Sequence, residues 1–135
     1  MSAAPILLMR RAVVAHLRAD AVVTSLLPSG RIYGERPESN AVRPFMRYGM
    51  SDSVPGYDVT APLHIFSGSD FTDEIARIIE EIQASLDGAV LTLESGEKIY
   101  MRVTSTRIIP DAAEQNAWHG VVTVKGHIPR DCTAP

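Results

Sequence analysis

The chain has 135 residues, 45% of them hydrophobic and 21% charged, a balance that excludes a disordered segment and fits one folded unit able to bury a core without disulfides or metal. A formal net charge of −3 argues against a module that grips nucleic acid by neutralising phosphates, and the single cysteine, Cys132, excludes an internal disulfide, so cytoplasmic synthesis suffices. Residues 5–17 are interrupted by Arg10, Arg11 and His16, too short and too charged to span a bilayer, and no cleavage pattern follows them.

Pro5 suits the first turn of a helix over residues 5–19, with Ile6, Met9, Val13, Val14 and Leu17 on one face. Asp20 is placed to cap a short continuation, AVVTSLL, which Pro28, Ser29 and Gly30 end. Residues 31–44, RIYGERPESNAVRP, read as a surface loop with a few extended residues around Ile32 and Tyr33. A first strand is expected over 45–50 and a polar loop over 51–57. A second strand follows over 59–67, with Pro62 near an edge or a bulge, and the two strands fit an antiparallel hairpin.

The strongest pattern follows, in SDFTDEIARIIEEIQASLDG. Phe71, Ile75, Ile78, Ile79, Ile82 and Leu86 share one stripe at the helical repeat, while Asp73, Glu74, Arg77, Glu80, Glu81 and Gln83 fill the rest. Ser69 or Asp70 is expected to cap its start and Gly88 to stop it, with Arg77 paired to Glu74 and Glu81. Each stripe residue is worth about 1.5–3 kcal/mol if fully buried, so a receiving surface is required. Strands over 90–93, 98–109 and 118–128 supply it, with Glu94, Ser95, Gly96 and Glu97 as a turn and Ile99, Met101, Val103, Val122 and Val124 on alternating inward positions. Residues 129–135 read as a flexible tail. The order predicts a single α+β domain over residues 1–135. It is a two-layer sandwich, a mostly antiparallel sheet of four to five strands with two helices packed on one face.

No enzyme site is visible. His16, His64, His119 and His127 lack ligand spacing and fit hydrogen-bonded or solvent-facing roles better than a metal site, and Cys132 reads as an incidental thiol. The helix carboxylates form a wet face, and the glycines and serines match no phosphate-loop or hydrolase motif, so neither cofactor nor metal is expected. A small ligand-binding or hydrolytic domain, the reading from a different class, would require His64, His119 and a carboxylate to converge in a pocket. What remains is contact-prone surface: Arg31, Tyr33, Arg36 and Arg43 in one loop, Val54 and Tyr57 in another. Arg and Tyr are favoured in interfaces, yet such loops also lie free on monomers, and both readings stand. Trp118 reads as a core anchor or as an interface hot spot.

The phrases LRADAVVTSLLPSGRIYGERP, LHIFSGS, DEIARIIEEIQASLDG, LTLESGEKIYMRVTSTRIIPD and WHGVVTVKGHI occur in an order that covers residues 5–128. In that order and spacing the chain resembles the small tail completion, or tail terminator, proteins of long-tailed bacteriophages and of phage-derived gene transfer agents, related in fold to the lambda tail terminator. The resemblance implies a structural virion protein at the head–tail interface. It implies a homo-oligomeric, hexameric ring that ends the tail tube and joins it to the head-to-tail connector, with DNA passing through its lumen without sequence-specific binding and no membrane involved. Its partners would be the tail tube protein and a head stopper or connector protein. A role as another connector component, a head stopper or a minor tail protein, is the neighbouring reading. An acidic chain and free strand edges are compatible with such a ring.

Overall fold

The computed structural model describes residues 5–37, 41–54, 58–68, 71–111 and 117–129, apart from the side chains of Ser53 and Val54. Helix α1 (Pro5–Ala19) starts on its proline and buries Leu8, Met9, Val13, Val14 and Leu17. Leu8 replaces the expected Ile6, which is 37% exposed and lines a cleft instead of the core. Asp20 caps α2 (Ala21–Leu26) as its position predicts: Oδ1 accepts the Val22 N–H at 2.9 Å and the Val23 N–H at 3.1 Å.

A short 3₁₀ turn (Ser29–Arg31) leads into β1 (Ile32–Tyr33), which pairs parallel with β2 (Phe45–Tyr48). Then come β3 (Asp52–Val54), β4 (Asp58–Phe66), α3 (Thr72–Leu86), β5 (Val90–Thr92), β6 (Lys98–Pro110) and β7 (Trp118–His127). All seven strands join one sheet in the order β1-β2-β4-β7-β6-β5, with β3 also paired to β4. Every pairing but β1–β2 is antiparallel. The architecture is mixed α+β, with more strands than the four or five expected. The additional ones, β1 and β3, are two and three residues long, too short to show a period-2 pattern and embedded in stretches that read as loop.

Pro62 lies inside β4, a strand with neighbours on both sides, where its missing N–H ought to break a ladder. Its carbonyl accepts the Gly49 N–H at 2.7 Å, so the amide side of Pro62 also turns toward the gap where β2 has ended and β3 has not begun. Locally this is an edge, as the proline demanded. Gly49 is required there, because a Cβ would sit 2.7 Å from Pro62 Cγ and 2.8 Å from Pro62 O.

One face of β7 meets both long helices. A Cβ on Gly120 would lie 2.7 Å from Ile79 Cδ1, and one on Gly126 would strike Ile99 and Met9, so these glycines let α3 and α1 approach the sheet. Ile75, Ile78, Ile79, Ile82 and Leu86 of α3 are buried, as the stripe predicts. Phe71 is not: it occupies the N-cap position, before the stripe reaches the sheet, and is 72% exposed. No Phe71 side-chain bond caps the helix, and the proposed caps Ser69 and Asp70 lie outside the described residues. Glu74 instead reaches back past the N-cap to accept the Gly68 N–H at 2.7 Å, tying the chain before the helix to its first turn. Among the described residues Arg77 forms no ion pair with Glu74 or Glu81, contrary to expectation, since exposed side chains gain too little to hold that geometry. At the other end Gly88 takes φ +81°, the left-handed stop, and Asp87 Oδ1 accepts the Val103 N–H at 3.0 Å, tying the helix to β6. No helix among the described residues is long and apolar enough to cross a membrane. The tail over 130–135, including Cys132, lies outside them.

Candidate functional site

Side chains alternate across a strand, so the positions between the core valines of β7 project from the sheet face that the helices leave open. Strand register then assembles rows that no single segment shows. One row reads Phe45, Phe66, His119, Ile109; the next reads Arg47, His64, Val121, Arg107; a third reads Asp52, Thr60, Lys125, Arg102.

The first row is a ladder of rings. Tyr33 meets Phe45 edge-on at 5.9 Å, Phe45 stacks on Phe66 at 4.9 Å, and Phe66 stacks on His119 at 4.6 Å. The Arg43 guanidinium lies 5.6 Å from the Phe66 ring centre and that of Arg47 5.7 Å, within cation–π range. Arg43 Nη1 also donates to Asp111 Oδ2 at 2.7 Å and to the Ser67 carbonyl at 3.3 Å.

His64 Nδ1 and His119 Nε2 are 2.8 Å apart, so one ring donates and the other accepts. Burial pushes His64 down to about 4, reinforced by Arg47 and His119. Burial lowers His119 too, against the pull of Asp111 and with the help of Arg47, Arg107 and Arg43. Both imidazoles are therefore neutral at pH 7 within a ring of arginines, a setting hostile to a metal cation. Among the described residues no three ligating side chains cluster. The meeting of His64 with His119 that a hydrolytic domain would need does occur, but Asp111 is held by Arg43, and the Ser67 hydroxyl is buried accepting the Trp118 N–H at 2.8 Å. The pair also lies outside the cleft of about 750 Å³ that Ile6, Arg10, Arg36, Arg47, Tyr48 and Met50 help to line. In that cleft's wall the Tyr48 hydroxyl is buried without a hydrogen-bond partner among the described residues. Burial pushes its phenol up to about 12; Ser51 eases the shift without reaching bonding geometry.

At the far end of the face, Asp58 accepts from His127 at 2.8 Å and pairs with Lys125 at 3.4 Å; the His127 bond first, then Lys125, lowers the Asp58 carboxyl against the effect of burial. The strands place Arg47, Lys98, Arg102, Arg107 and Lys125 on this face against Asp52 and Asp58. A chain of net charge −3 thus presents a cationic sheet face. The sheet also has an open margin. β5 pairs only with Lys98, Ile99 and Tyr100, and beyond Val103 no described strand covers the outer edge of β6 through residue 109.

Of the residues singled out from sequence, Tyr33 and Arg43 join the ring ladder and Arg36 lines the cleft. Arg31 ends the 3₁₀ turn, apart from both, and Trp118 is half-buried against the core at the start of β7. Tyr57 and the Val54 side chain lie outside the described residues. Sequence reasoning missed Phe45, Arg47, Phe66 and Arg107, and brought His64 to His119 only as a requirement of the ligand-binding or hydrolytic alternative. The alternation along β4 and β7 marks a common face, but only the register brings its members together.

A family model for tail completion protein gp17 matches residues 11–126. Among solved structures, a chain of the structure "Virion of native gene transfer agent (GTA) particle" is similar at 14% identity, with a TM-score of 0.76 over 93% of this chain and 98% of that one. A second solved chain is similar at 11% identity, with a TM-score of 0.62 over 92% and 95%. At such identities these likenesses establish the fold. No curated protein matches in sequence at a significant level. The family match spans most of the chain and bears out the resemblance carried by GRIYGERP and WHGVV: the protein belongs to the tail completion protein gp17 family, structural proteins of the virus tail.

Proposed function

We propose that this chain is the subunit of a ring, a hexamer as the family resemblance implies, that ends the tail tube and joins it to the head-to-tail connector while DNA passes through the lumen. The subunit acts as a single two-layer domain, helices behind and sheet in front, made in the cytoplasm of the bacterial host. The observation that supports this reading best is the open edge of β6, exposed or half-buried throughout residues 104–109 and uncovered by any described strand. Unprotected edges of this length invite pairing with another chain, and a closed ring of identical copies is a common way to use them. Arg31, Tyr33, Arg36, Arg43, Val54, Tyr57 and Trp118 border the contacts to ring neighbours, tail tube protein and connector. Mass photometry of the purified protein, with a map of the intact particle, tests the reading. A cyclic oligomer located at the junction of tail and connector supports it. A strictly monomeric chain missing from particles refutes it, and density elsewhere in the connector or tail assigns the neighbouring role of head stopper or minor tail protein.

A further inference from the structure

The open sheet face and the exposed face of α3 carry opposite charge, and among the described residues neither is fully neutralised, Lys125 and His127 alone pairing with Asp58 on the sheet. On the sheet, Arg47, Arg102 and Arg107 make no ion pair among the described residues. Arg102 stands directly opposite Lys125 across adjacent strands, where like charges destabilise a sheet, and Arg47 shares a row with Arg107. On α3, Asp73, Glu80 and Glu81 likewise make no ion pair among the described residues. The helix packs its isoleucines on the covered side of the sheet, so these carboxylates point away from the arginines, on the opposite side of the molecule.

Two complementary faces on opposite sides of one chain cannot satisfy each other within it. We infer that they meet between copies: the acidic face of α3 in one subunit docks on the cationic sheet face of the next. This contact is head-to-tail, the kind that propagates around a ring and closes when the rotation per copy allows. The inference rests on the ring reading above and adds to the open β6 edge a second, charge-matched pair of surfaces. It also gives Arg102, which faces Lys125 across the strands while Lys125 pairs with Asp58, a counter-charge of its own, a role in partner choice and orientation typical of interface charges.

The test is a charge swap on full-length protein followed by mass photometry. One variant carries Glu80→Lys with Glu81→Lys, the other Arg102→Glu with Arg107→Glu. All four positions are exposed or half-buried and outside the core, and circular dichroism checks the fold. Each variant alone should assemble at least about tenfold more weakly than the parent, and the parent's assembly should weaken as salt is raised. An equimolar mixture offers every reversed face a reversed complement and should recover rings of alternating composition; so should a single chain carrying all four changes. If the parent forms rings and both variants form them equally well, the docking is wrong while the ring stands. A parent that stays monomeric sinks the ring and the docking together. If the arginine variant assembles normally but loses affinity for a short DNA duplex, the sheet face serves nucleic acid and the inference is overturned.

Discussion

The histidine pair makes a prediction about acid stability that can be worked from its surroundings. An ordinary histidine titrates at 6.5, whereas His64 in the fold is pushed down to about 4 by burial, Arg47 and His119. A lowered folded value means that the unfolded chain binds the proton first. The contribution to stability is whole above pH 6.5 and drains away as pH falls toward 4. A shift of that size would carry about 3 kcal/mol, and the half-exposed setting screens it to about 1–2 kcal/mol, or roughly 4–8 °C in melting temperature. The assay is denaturant unfolding at several pH values between 7.5 and 4.5 for the parent and His64→Gln. Carboxylates such as Asp58 contribute to both proteins and cancel, so the parent's advantage over the variant should shrink by that amount on acidification. An advantage unchanged across the range, or an NMR titration placing His64 near 6.5, would refute the reasoning.

Gly49→Ala should destabilise by about 1–3 kcal/mol, read as a lower denaturation midpoint, because its Cβ would meet the Pro62 ring and carbonyl and neither is a flexible end. Tyr48→Phe should leave stability within about 1 kcal/mol of the parent or raise it, since it removes a buried hydroxyl that has no hydrogen-bond partner among the described residues; a larger loss in calorimetry would reveal a partner for it. Asp20→Ala removes the side-chain acceptor for two N–H groups of α2 and should cost about 1 kcal/mol, with Asp20→Asn retaining most of it.

What could be read from the chain was whatever a single segment encodes. The α1 boundaries, the Asp20 cap, the isoleucine stripe and the Gly88 stop are local, because propensity, periodicity and capping act over a few residues. Phe71 was misread because periodicity marks which way a side chain points but not whether the sheet extends far enough to meet it. β3 was missed, and β1 was read only as a few extended residues around Ile32 and Tyr33, because strands so short are held by their neighbours rather than by their own pattern. Pro62 was read correctly for a reason sequence cannot display: the edge it needs is made by β2 ending opposite it.

The interaction surface was the least legible feature, and net charge shows why. Net charge adds over the whole molecule and discards position, so −3 argued against a cationic surface that nonetheless exists. Arg47, Arg102, Arg107 and Lys125 lie on three different strands, in no basic cluster along the chain, and become neighbours only when β2, β4, β7 and β6 align in register. The compensating carboxylates of α3 all lie on one helix and were visible as a wet helix face. The same sheet that buries the isoleucines also separates the two charges by its own thickness. A fold that sorts opposite charges onto opposite sides has an excess at each surface that a second copy can neutralise, and self-assembly is then an expectation of the register as much as of the family.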